Sequence, residues 1–457
     1  MSQSTRRTFI KSAACAVAAP TIVPRSVFGA NAPSNRINVG FIGLGNQSKV
    51  DLPAFLENDD VQVLAVCDVN TGSIGYRVPE DFLGREPGKQ SVEAYYADKS
   101  HSGSYKGCAA YTDFREVLGR DDIDAVVIIT PDHWHATMTI AAARAGKDIY
   151  CEKPLSLTVE DGKAMVKAVR EHKRILQTGS QHRSNDNMRR GCELVRNGRI
   201  GDLERITAYI AENNFTGPGT SWMPMPVPKG FDYAMWLGPA PKAPYHEDRC
   251  LYKFRFIEEY SGGQTTNFGA HSLDLAQLGH GSELTGPLEF TDAGSEWPES
   301  GSLFTTATRV AFHARYADGV ELICETRPPG FGARFEGSEG WVQVDSSGVH
   351  ASPKSLLTSV IGPDEFHLPV AVPGKPVTRY DRVSPQHVRN FLDAVKSRQD
   401  PIEPVEVGHR TATICHLGNI AMKLKRKIKW DPESEQIIGD DEAAGMLKRP
   451  KREPWEI

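Results

Sequence analysis

The chain contains the stretch Asp148-Ile149-Tyr150-Cys151-Glu152-Lys153-Pro154, a short apolar run that ends at a proline. The run predicts a strand, and Pro154 disfavours helical backbone at the residue before it, so Lys153 is expected at the strand's carboxyl end. In open α/β sheets, ligands bind outside this edge. The sequence therefore places Lys153 between a cofactor-binding half upstream and a substrate-binding half downstream. The alternative is a solvated lysine beside a surface turn.

A second apolar run, at residues 37–42, leads into Gly43-Leu44-Gly45-Asn46-Gln47-Ser48. Glycines at 43 and 45 permit a tight turn and the close approach of a pyrophosphate to the start of the next helix. Ser48 stands where the usual fingerprint has its third glycine, so the local motif is incomplete. The turn is nevertheless expected to hold a dinucleotide, because an acidic residue follows at the right distance.

That acidic residue is Asp68, which follows a strand predicted at residues 61–67. It stands about twenty residues after the glycines, where a carboxylate holds the ribose hydroxyls of the adenosine half. Val69 and Asn70 follow with no arginine nearby, which favours NAD over NADP. The alternative is that Asp68 is an ordinary turn residue at the end of a strand.

Two histidines follow the buried strand predicted at residues 125–129, in Thr130-Pro131-Asp132-His133-Trp134-His135, before a helix predicted over 136–145. His133 and His135 are expected to line the cofactor crevice at the end of this strand. They are also candidate metal ligands. Because no third and fourth ligand with suitable spacing is visible, no metal site is predicted.

Strands and helices alternate up to residue 180, which predicts a doubly wound parallel sheet of the Rossmann type over residues 33–180. Residues 71–108 interrupt it as an insertion with at most one helix, near 91–98. From about residue 203 the apolar period changes to two. This predicts a second α+β domain over 181–430, with a large, mostly antiparallel sheet that is open on one face.

Further along, residues 232–241 are expected to form a loop, and residues 431–457 a charged, mobile tail. The seven cysteines after Cys15 are odd in number and scattered, which indicates buried thiols rather than a disulfide framework. The formal net charge of −5, with no basic stripe, excludes nucleic acid as the expected partner. No apolar run reaches the roughly 18 residues of a membrane-spanning helix.

The first 32 residues carry Arg6, Arg7, Lys11 and Arg25 and no acidic residue. Paired arginines before a weakly apolar stretch at 12–19, with small residues around 29–32, predict a twin-arginine export signal over residues 1–32. Export of an already folded protein agrees with reduced, buried cysteines. The alternative is a disordered basic tail.

The most informative stretch of the second half is Gly262-Gly263-Gln264-Thr265-Thr266-Asn267-Phe268-Gly269-Ala270-His271-Ser272-Leu273-Asp274. Two glycines let a loop approach closely, and a helix is predicted to begin near Thr265. Asn267, His271 and Asp274 are spaced so that they share one helix face. An amide, an imidazole and a carboxylate in one row suit polyol binding and proton transfer. The alternative is a capped helix with a core histidine.

Together these motifs resemble the Gfo/Idh/MocA family of sugar and polyol oxidoreductases over roughly residues 36–430. The resemblance implies that Lys153 and His271 act beside a nicotinamide, and that the second-domain sheet builds a homodimer or homotetramer. The family's aspartate four residues before the histidine is Asn267 here, and an amide carries no charge. Asp274 is therefore expected to substitute in part, by fixing the tautomer of His271 or stabilising its cation.

The expected sites can be stated residue by residue. The cofactor is expected to contact Gly43, Leu44, Gly45, Asn46, Gln47, Asp68, Thr130, Pro131, His133, His135, Glu152, Lys153 and Gln181. The substrate, a small carbohydrate, is expected to contact Lys153, His182, Arg183, Trp236, Asn267 and His271. The expected catalytic residues are Lys153, His271, Asn267 and Asp274.

In the expected reaction, Lys153 takes the proton of a secondary hydroxyl as hydride leaves its carbon, and His271 hydrogen-bonds the same or the adjacent oxygen. Burial and an oxidised nicotinamide both lower the pKa of a lysine enough for this role. An exported enzyme should hold its cofactor tightly. With an association rate of roughly 10⁶ M⁻¹s⁻¹, retention for about a day needs a dissociation constant near 10⁻¹¹ M.

A retained cofactor must be recycled in place, which leaves two reactions open. Either a second substrate takes the hydride back, as in glucose–fructose oxidoreductases of the family, or oxidation is transient and drives elimination at a glycosidic bond. Family members that cleave N-acetylgalactosaminides share the export signal, but their typical motif is not visible around His271. A non-catalytic NAD-binding protein is a further alternative.

Overall fold

The computed structural model describes residues 35–379 and 382–455. Its first part is a parallel sheet built from β1 (Ile37–Ile42), β2 (Val61–Cys67), β3 (Ala109–Tyr111), β4 (Ala125–Ile128), β5 (Asp148–Cys151) and β6 (Leu176–Thr178). The strand order is β3-β2-β1-β4-β5-β6. Since helices cover both faces of a parallel sheet, its central strands are buried continuously rather than alternately. The predicted Rossmann fold is confirmed.

The helices of this part are α1 (Ser48–Leu56), α2 (Arg85–Lys99), α3 (Phe114–Leu118), α4 (Asp132–Arg144) and α5 (Val159–Glu171). Helix α2 is the single helix of the insertion and is longer than predicted. Helix α4 begins four residues before its predicted start. Pro131 is its N-cap residue, and the carboxylate of Asp132 in the first turn suits the positive end of the helix dipole.

The second sheet has nine strands among the residues described. They are β7 (Leu203–Ile210), β8 (Glu289–Asp292), β9 (Ala311–Arg315), β10 (Glu321–Thr326), β11 (Ala333–Gly337), β12 (Gly340–Asp345), β13 (Gly348–Ser352), β14 (Ile428–Asp431) and β15 (Gln436–Ile437). Their order is β13-β12-β11-β7-β10-β9-β8-β14-β15. Only β7 and β10 pair in parallel, so the prediction of a mostly antiparallel sheet is confirmed.

One face of this sheet is packed. Along β10, Leu322 and Cys324 are buried and the residues between them are partly exposed. The remaining helices are α6 (Asp186–Arg196), α7 (Tyr233–Leu237), α8 (Gln264–His280), α9 (Val383–Ser397), α10 (Val405–Leu424) and α11 (Asp441–Gly445). Helix α8 packs on β7 and α6 packs on β12, while α10 joins α8 to α5 of the first domain.

Helix α9 lies late in the chain but belongs spatially to the first domain, where it packs on α1. The ring of Phe391 meets Phe55 with centroids 6.1 Å apart and Tyr150 with centroids 5.8 Å apart. The two domains are therefore held together by chain that returns to the first one, as well as by the linker between them.

Two predictions for irregular segments are wrong. Residues 232–241 contain α7 rather than a continuous loop, because the carboxylate of Asp232 accepts a hydrogen bond from the backbone N–H of Met235 at 3.0 Å and caps the helix. Residues 431–455 are not a free tail, since they form β15 and α11. The ring of Trp455 packs on Trp134 with centroids 4.8 Å apart, and Arg452 donates to the carbonyl of Gly238.

Several other expectations concern the chain as a whole. The seven cysteines predicted to be buried thiols are all buried and unpaired: Cys67, Cys108, Cys151, Cys192, Cys250, Cys324 and Cys415. No helix within 35–379 or 382–455 is long and apolar enough to cross a membrane. The export signal predicted over residues 1–32 lies outside the described residues.

Candidate active site

A cleft opens where the carboxyl ends of β1, β4 and β5 face the second domain, and we call it the interdomain cleft. Its walls come from both domains. Gly43, Thr130 and Lys153 follow three neighbouring strands of the Rossmann sheet, and Asn267 and His271 come from α8. Because parallel strands all end at the same edge of a sheet, residues far apart in the chain meet here.

The turn after β1 shows why two glycines stand there. Gly43 has a φ of +97°, backbone that side chains rarely adopt, and a Cβ on it would lie 2.4 Å from the carbonyl oxygen of Ile129. A Cβ on Gly45 would lie 3.0 Å from the ring of Tyr76. Gly43, Gly45, Asn46 and Gln47 line the cleft immediately before α1. This open turn at a helix N-terminus fits a dinucleotide pyrophosphate.

Asp68 also lies in the cleft, at the end of β2. Its carboxylate oxygens accept from the backbone N–H of Leu44 at 2.6 Å and of Asn70 at 2.8 Å. These bonds hold the carboxylate in place beside the glycine turn. Burial raises the pKa of Asp68, and the two N–H donors oppose that shift. Leu44 itself contributes only this backbone group, because its side chain is in the core.

The sequence argument that no arginine lies near Asp68 is wrong. Arg85, at the start of α2, donates to the main-chain oxygen of Asp68 at 2.8 Å, and Arg77 lines the same cleft. The insertion folds back over the end of β2, which sequence distance does not show. The carboxylate of Asp68 nevertheless lies in the cleft beside the glycine turn.

The ε-amine of Lys153 donates to the main-chain oxygen of Asn267 and to its side-chain Oδ1, each at 3.2 Å. Neither acceptor carries a charge. Burial lowers the pKa of Lys153, the carboxylate of Glu152 opposes the shift, and the guanidinium of Arg255 adds to it. The amine is therefore oriented by a partner that adds no negative charge beside it.

One helical turn after Asn267, the ring of His271 lies in the cleft and meets the ring of His182 edge to face, with centroids 4.6 Å apart. Its Nδ1 has no hydrogen-bond partner among the residues described. Burial, with His182 and Lys153 as further causes, holds the pKa of His271 well below its ordinary value. It is thus a neutral imidazole at neutral pH, with one donor and one acceptor nitrogen.

His133 and His135 do not line the cleft, which corrects their predicted role as cofactor contacts. Both lie buried in the first turn of α4. Nε2 of His133 is 2.9 Å from the carbonyl oxygen of Trp236, and the ring nitrogens of His135 lie on the carbonyls of Pro154 and Thr130, at 2.7 and 2.9 Å. They support the cleft wall from behind. No three His, Cys, Asp or Glu side chains gather as metal ligands in the described part of the chain.

Asp274 and Arg183 are also placed differently from their predicted roles. The carboxylate of Asp274 pairs with Arg183 at 2.6 Å, with side-chain exposures of 1% and 3%. Its oxygens accept from Arg183 and Thr411, so it does not orient His271. Arg183 contacts Glu283 and Glu403 as well, and no part of it lines the cleft. The pair ties α8 to the segment before α6.

The other predicted site residues lie in the cleft: Thr130, Pro131, Glu152, Gln181, His182 and Trp236. Burial raises the pKa of Glu152 to about 7. Its proximity to Lys153 makes this carboxyl part of the electrostatic surroundings of the amine.

Sequence reasoning missed several polar residues of the cleft, among them Asp132, Ser261 and Arg255. Asp132 accepts a hydrogen bond from Ser261 Oγ at 2.6 Å, which joins α4 to the loop before α8. Arg255 lies in the 3-10 helix Lys253–Phe256. The only sequence signal for it is a basic residue inside the aromatic run Tyr252-Lys253-Phe254-Arg255-Phe256.

Among curated proteins, the chain is 33% identical over 202 residues to glycosyl hydrolase family 109 protein 1 of Shewanella sp. (strain MR-4), covering 44% of this chain and 40% of that protein. A glycosyl hydrolase family 109 protein of Stenotrophomonas maltophilia (strain K279a) is 27% identical over 384 residues, 77% of this chain and 76% of the relative. The chain thus spans about two fifths of the Shewanella relative's length.

Two solved structures share the fold. Aldose-aldose oxidoreductase from Caulobacter crescentus, complexed with glycerol, has a TM-score of 0.58 at 20% identity, over 86% of this chain and 99% of that one. A levoglucosan dehydrogenase complex with NADH has a TM-score of 0.59 at 19% identity, with the same coverage.

Two models of an oxidoreductase family match the sequence. The model of its NAD-binding Rossmann fold matches residues 37–180. The model of its C-terminal alpha/beta domain matches residues 188–349 and 372–457. Together they cover both domains that form the interdomain cleft, so the chain belongs to the Gfo/Idh/MocA oxidoreductase family.

Proposed function

We propose that this protein is an exported oxidoreductase that transfers hydride between a tightly bound NAD and a secondary hydroxyl or carbonyl group of a sugar, glycoside or cyclitol. The observation that carries the proposal is one cleft that holds the glycine turn, Asp68, Lys153 and His271. The names of aldose-aldose oxidoreductase and levoglucosan dehydrogenase support a carbohydrate substrate.

The residues present fit a nicotinamide dinucleotide. Gly43 and Gly45 leave room for the pyrophosphate, and the carboxylate of Asp68 suits ribose hydroxyls rather than a phosphate. When bound, this cofactor supplies the acceptor or donor of the hydride. The NADH complexes of levoglucosan dehydrogenase and of WlbA dehydrogenase support the choice of NAD over NADP.

Lys153 serves as the general base for the substrate hydroxyl. A lysine works as a base only as the free amine, and its burial next to the neutral Asn267 favours that form. His271 donates to or accepts from the same or the adjacent oxygen, because the neutral ring offers one nitrogen of each kind. In the reverse direction the same amine, once protonated, returns the proton to the carbonyl oxygen.

The export signal predicted over residues 1–32 supports an extracytoplasmic location, and a cofactor retained there must be bound tightly. Helices pack on one face of the second sheet. Its other face, which is partly exposed along β10, suits the contact between subunits of a homodimer or homotetramer. Purification of the mature protein, exhaustive dialysis and mass analysis of the denatured supernatant would test cofactor retention. Light scattering on the same sample would give the subunit number.

Glycoside cleavage without net redox change is the second candidate, and the family 109 glycosyl hydrolases among the relatives favour it. A relative from Shewanella oneidensis, 32% identical over 200 residues, is named alpha-N-acetylgalactosaminidase. In such a reaction, removal of hydride leaves a ketone two carbons from the glycosidic bond, which acidifies the C–H between them, and loss of that proton expels the aglycone. Addition of water to the resulting enone and return of the hydride to the ketone carbon complete the hydrolysis without net redox change. Lys153 and His271 would act on the same hydroxyl.

One experiment separates the two reactions. The dialysed protein is incubated with free sugars and with aryl glycosides, and the absorbance of reduced nicotinamide and the products are followed together. Net oxidation gives an oxidised sugar and, with a second sugar present, an equal amount of reduced sugar. Cleavage gives free aglycone with no lasting change in absorbance. Lys167→Ala, a change at an exposed lysine on α5, is the control for Lys153 variants.

A further inference from the structure

Arg255 is a cation of the interdomain cleft that the proposed reaction does not use. Its guanidinium lies over the rings of Tyr252 and Phe254, at 3.8 and 4.9 Å from their centroids, and donates to the carbonyl of Tyr252. Among the residues described, it forms no ion pair with a carboxylate. The acid whose charge reaches it is Asp132, which already accepts a hydrogen bond from Ser261.

Arg255 lines the same cleft as Lys153. Its charge is one of the causes that lower the pKa of Lys153, so it lies within electrostatic reach of the amine. It comes from the second domain, as do Asn267 and His271. Arg77 also lines the cleft, directly after Tyr76, whose ring lies against Gly45, and its charge reaches Arg255. Tyr76 places Arg77 next to the glycine turn, whereas Arg255 contacts Tyr252 and Phe254 of the second domain.

We propose that Arg255 is the anion-recognition residue of the substrate site, and that the substrate is an acidic sugar whose carboxylate pairs with its guanidinium. The inference rests on the proposed function for the identity of the cleft. It adds the substrate class, which would then be uronic acids or their glycosides.

The physical argument is that the guanidinium of Arg255 has no counterion at ion-pair distance among the residues described. Charged side chains withdrawn from water are normally paired, and Arg255 is partly buried. The acid within electrostatic reach, Asp132, is hydrogen-bonded to Ser261 instead. Two aromatic faces hold the planar guanidinium in one orientation, as bidentate recognition of a carboxylate requires. Pairing also matters for the base. A substrate carboxylate alone would raise the pKa of Lys153, and the charge of Arg255 offsets that effect.

The test compares matched acidic and neutral sugars on the dialysed, full-length mature protein. Binding of D-glucuronate and D-glucose, and of D-galacturonate and D-galactose, is measured by titration calorimetry, and reduction of the bound cofactor by absorbance. We expect the uronates to bind at least about tenfold more tightly than the neutral sugars. We also expect added salt to weaken uronate binding but not glucose binding, a result that needs no variant.

Two variants of Arg255 sharpen the test. Arg255→Gln should weaken uronate binding by about 30-fold or more and change glucose binding by less than about threefold. The uronate affinity of Arg255→Lys should lie between those of the parent and of Arg255→Gln, because lysine keeps the positive charge but lacks the planar guanidinium. Lys253→Gln is the matched control. It removes a cation two residues away that pairs with Asp248, and it should leave the preference unchanged.

Four results would overturn the inference. Neutral sugars could bind as tightly as uronates, or Arg255→Gln could weaken both equally. Alternatively, Arg255→Gln could weaken NADH binding alone, which would assign its anion to the cofactor pyrophosphate. Tighter binding of sugar phosphates than of uronates would also contradict a carboxylate. If uronates bind through Arg255 but no sugar changes the absorbance or is cleaved, the proposed function fails and the inference stands.

Discussion

The ε-amine of Lys153 lies 3.2 Å from two oxygens of Asn267, its main-chain carbonyl and its side-chain Oδ1. This contact joins the end of β5 to the first turn of α8, 114 residues later. Because this partner is an amide, it orients the lysine without adding a negative charge, and the carboxylate of Glu152 opposes the lowering of the pKa of Lys153 by burial. The position of the amine that would act as the base depends on this contact.

The first prediction concerns the base. Lys153→Ala should lower turnover by about 10²–10⁴-fold, the usual contribution of a general base. NADH binding, measured by fluorescence titration, should stay within a few-fold of the parent, since Asp68 and the glycine turn are untouched. Near-normal turnover in this variant would remove Lys153 from the mechanism.

The second prediction concerns the amide. Asn267→Asp places a negative charge next to the ε-amine, which should raise the pKa of Lys153 by about 1–3 units. Because the base must be neutral, the rising limb of kcat/KM for sugar oxidation should move to higher pH by the same amount. Asn267→Ala is the uncharged control, and it should lower the rate without moving the limb to higher pH. Coincident pH profiles for all three proteins would contradict the assignment.

The third prediction concerns the buried charges behind the site. Arg183→Met leaves Asp274, Glu283 and Glu403 without their shared cation, and we expect the free energy of unfolding to fall by about 3–5 kcal/mol. Arg205→Met removes one partner of the half-exposed pair with Glu321 and should cost less than about 1 kcal/mol. Denaturant unfolding measures both. Equal losses in the two variants would show that burial of the cluster is unimportant.

The fourth prediction is a dependence of stability on pH. Burial raises the pKa of Glu152 to about 7, so between its ordinary 4.5 and 7 the folded protein keeps a proton that the unfolded chain has lost. The contribution of this group to stability is therefore greatest below pH 4.5 and falls as pH rises to 7.

Glu152→Gln keeps the shape and removes the titration. Relative to the parent, the variant should gain on the order of 2–3 kcal/mol in the free energy of unfolding as pH rises through that window. Urea unfolding at several pH values, followed by tryptophan fluorescence, measures the difference. A constant difference between the two proteins across the window would contradict the raised pKa.

Much of the nucleotide half could be predicted from sequence because its signals are local. A positive φ at Gly43 is a property of the turn itself, and the change of apolar period after β6 reflects which faces are buried. The position of Lys153 follows from the proline after it and from the common edge at which parallel strands end. None of these inferences requires knowledge of a distant partner.

The roles of the charged and imidazole side chains could not be predicted in the same way. Helical spacing correctly grouped Asn267, His271 and Asp274 on one face. It could not show that the carboxylate of Asp274 would accept hydrogen bonds from Arg183, which lies 91 residues earlier in the chain. His133 stands two residues from Pro131, a cleft residue, yet its ring turns to a carbonyl of α7.

The sequence by itself determined the strand ends, the glycine turn and the position of Lys153, since backbone sterics and burial periods act within a few residues. Only the tertiary structure decided which side chains face the cleft. In the structure the side chain of Arg255 lines the cleft. Those of Asp274, Arg183, His133 and His135 do not. The reason is that the environment of a polar side chain is set by what packs against it, and those neighbours come from other parts of the chain.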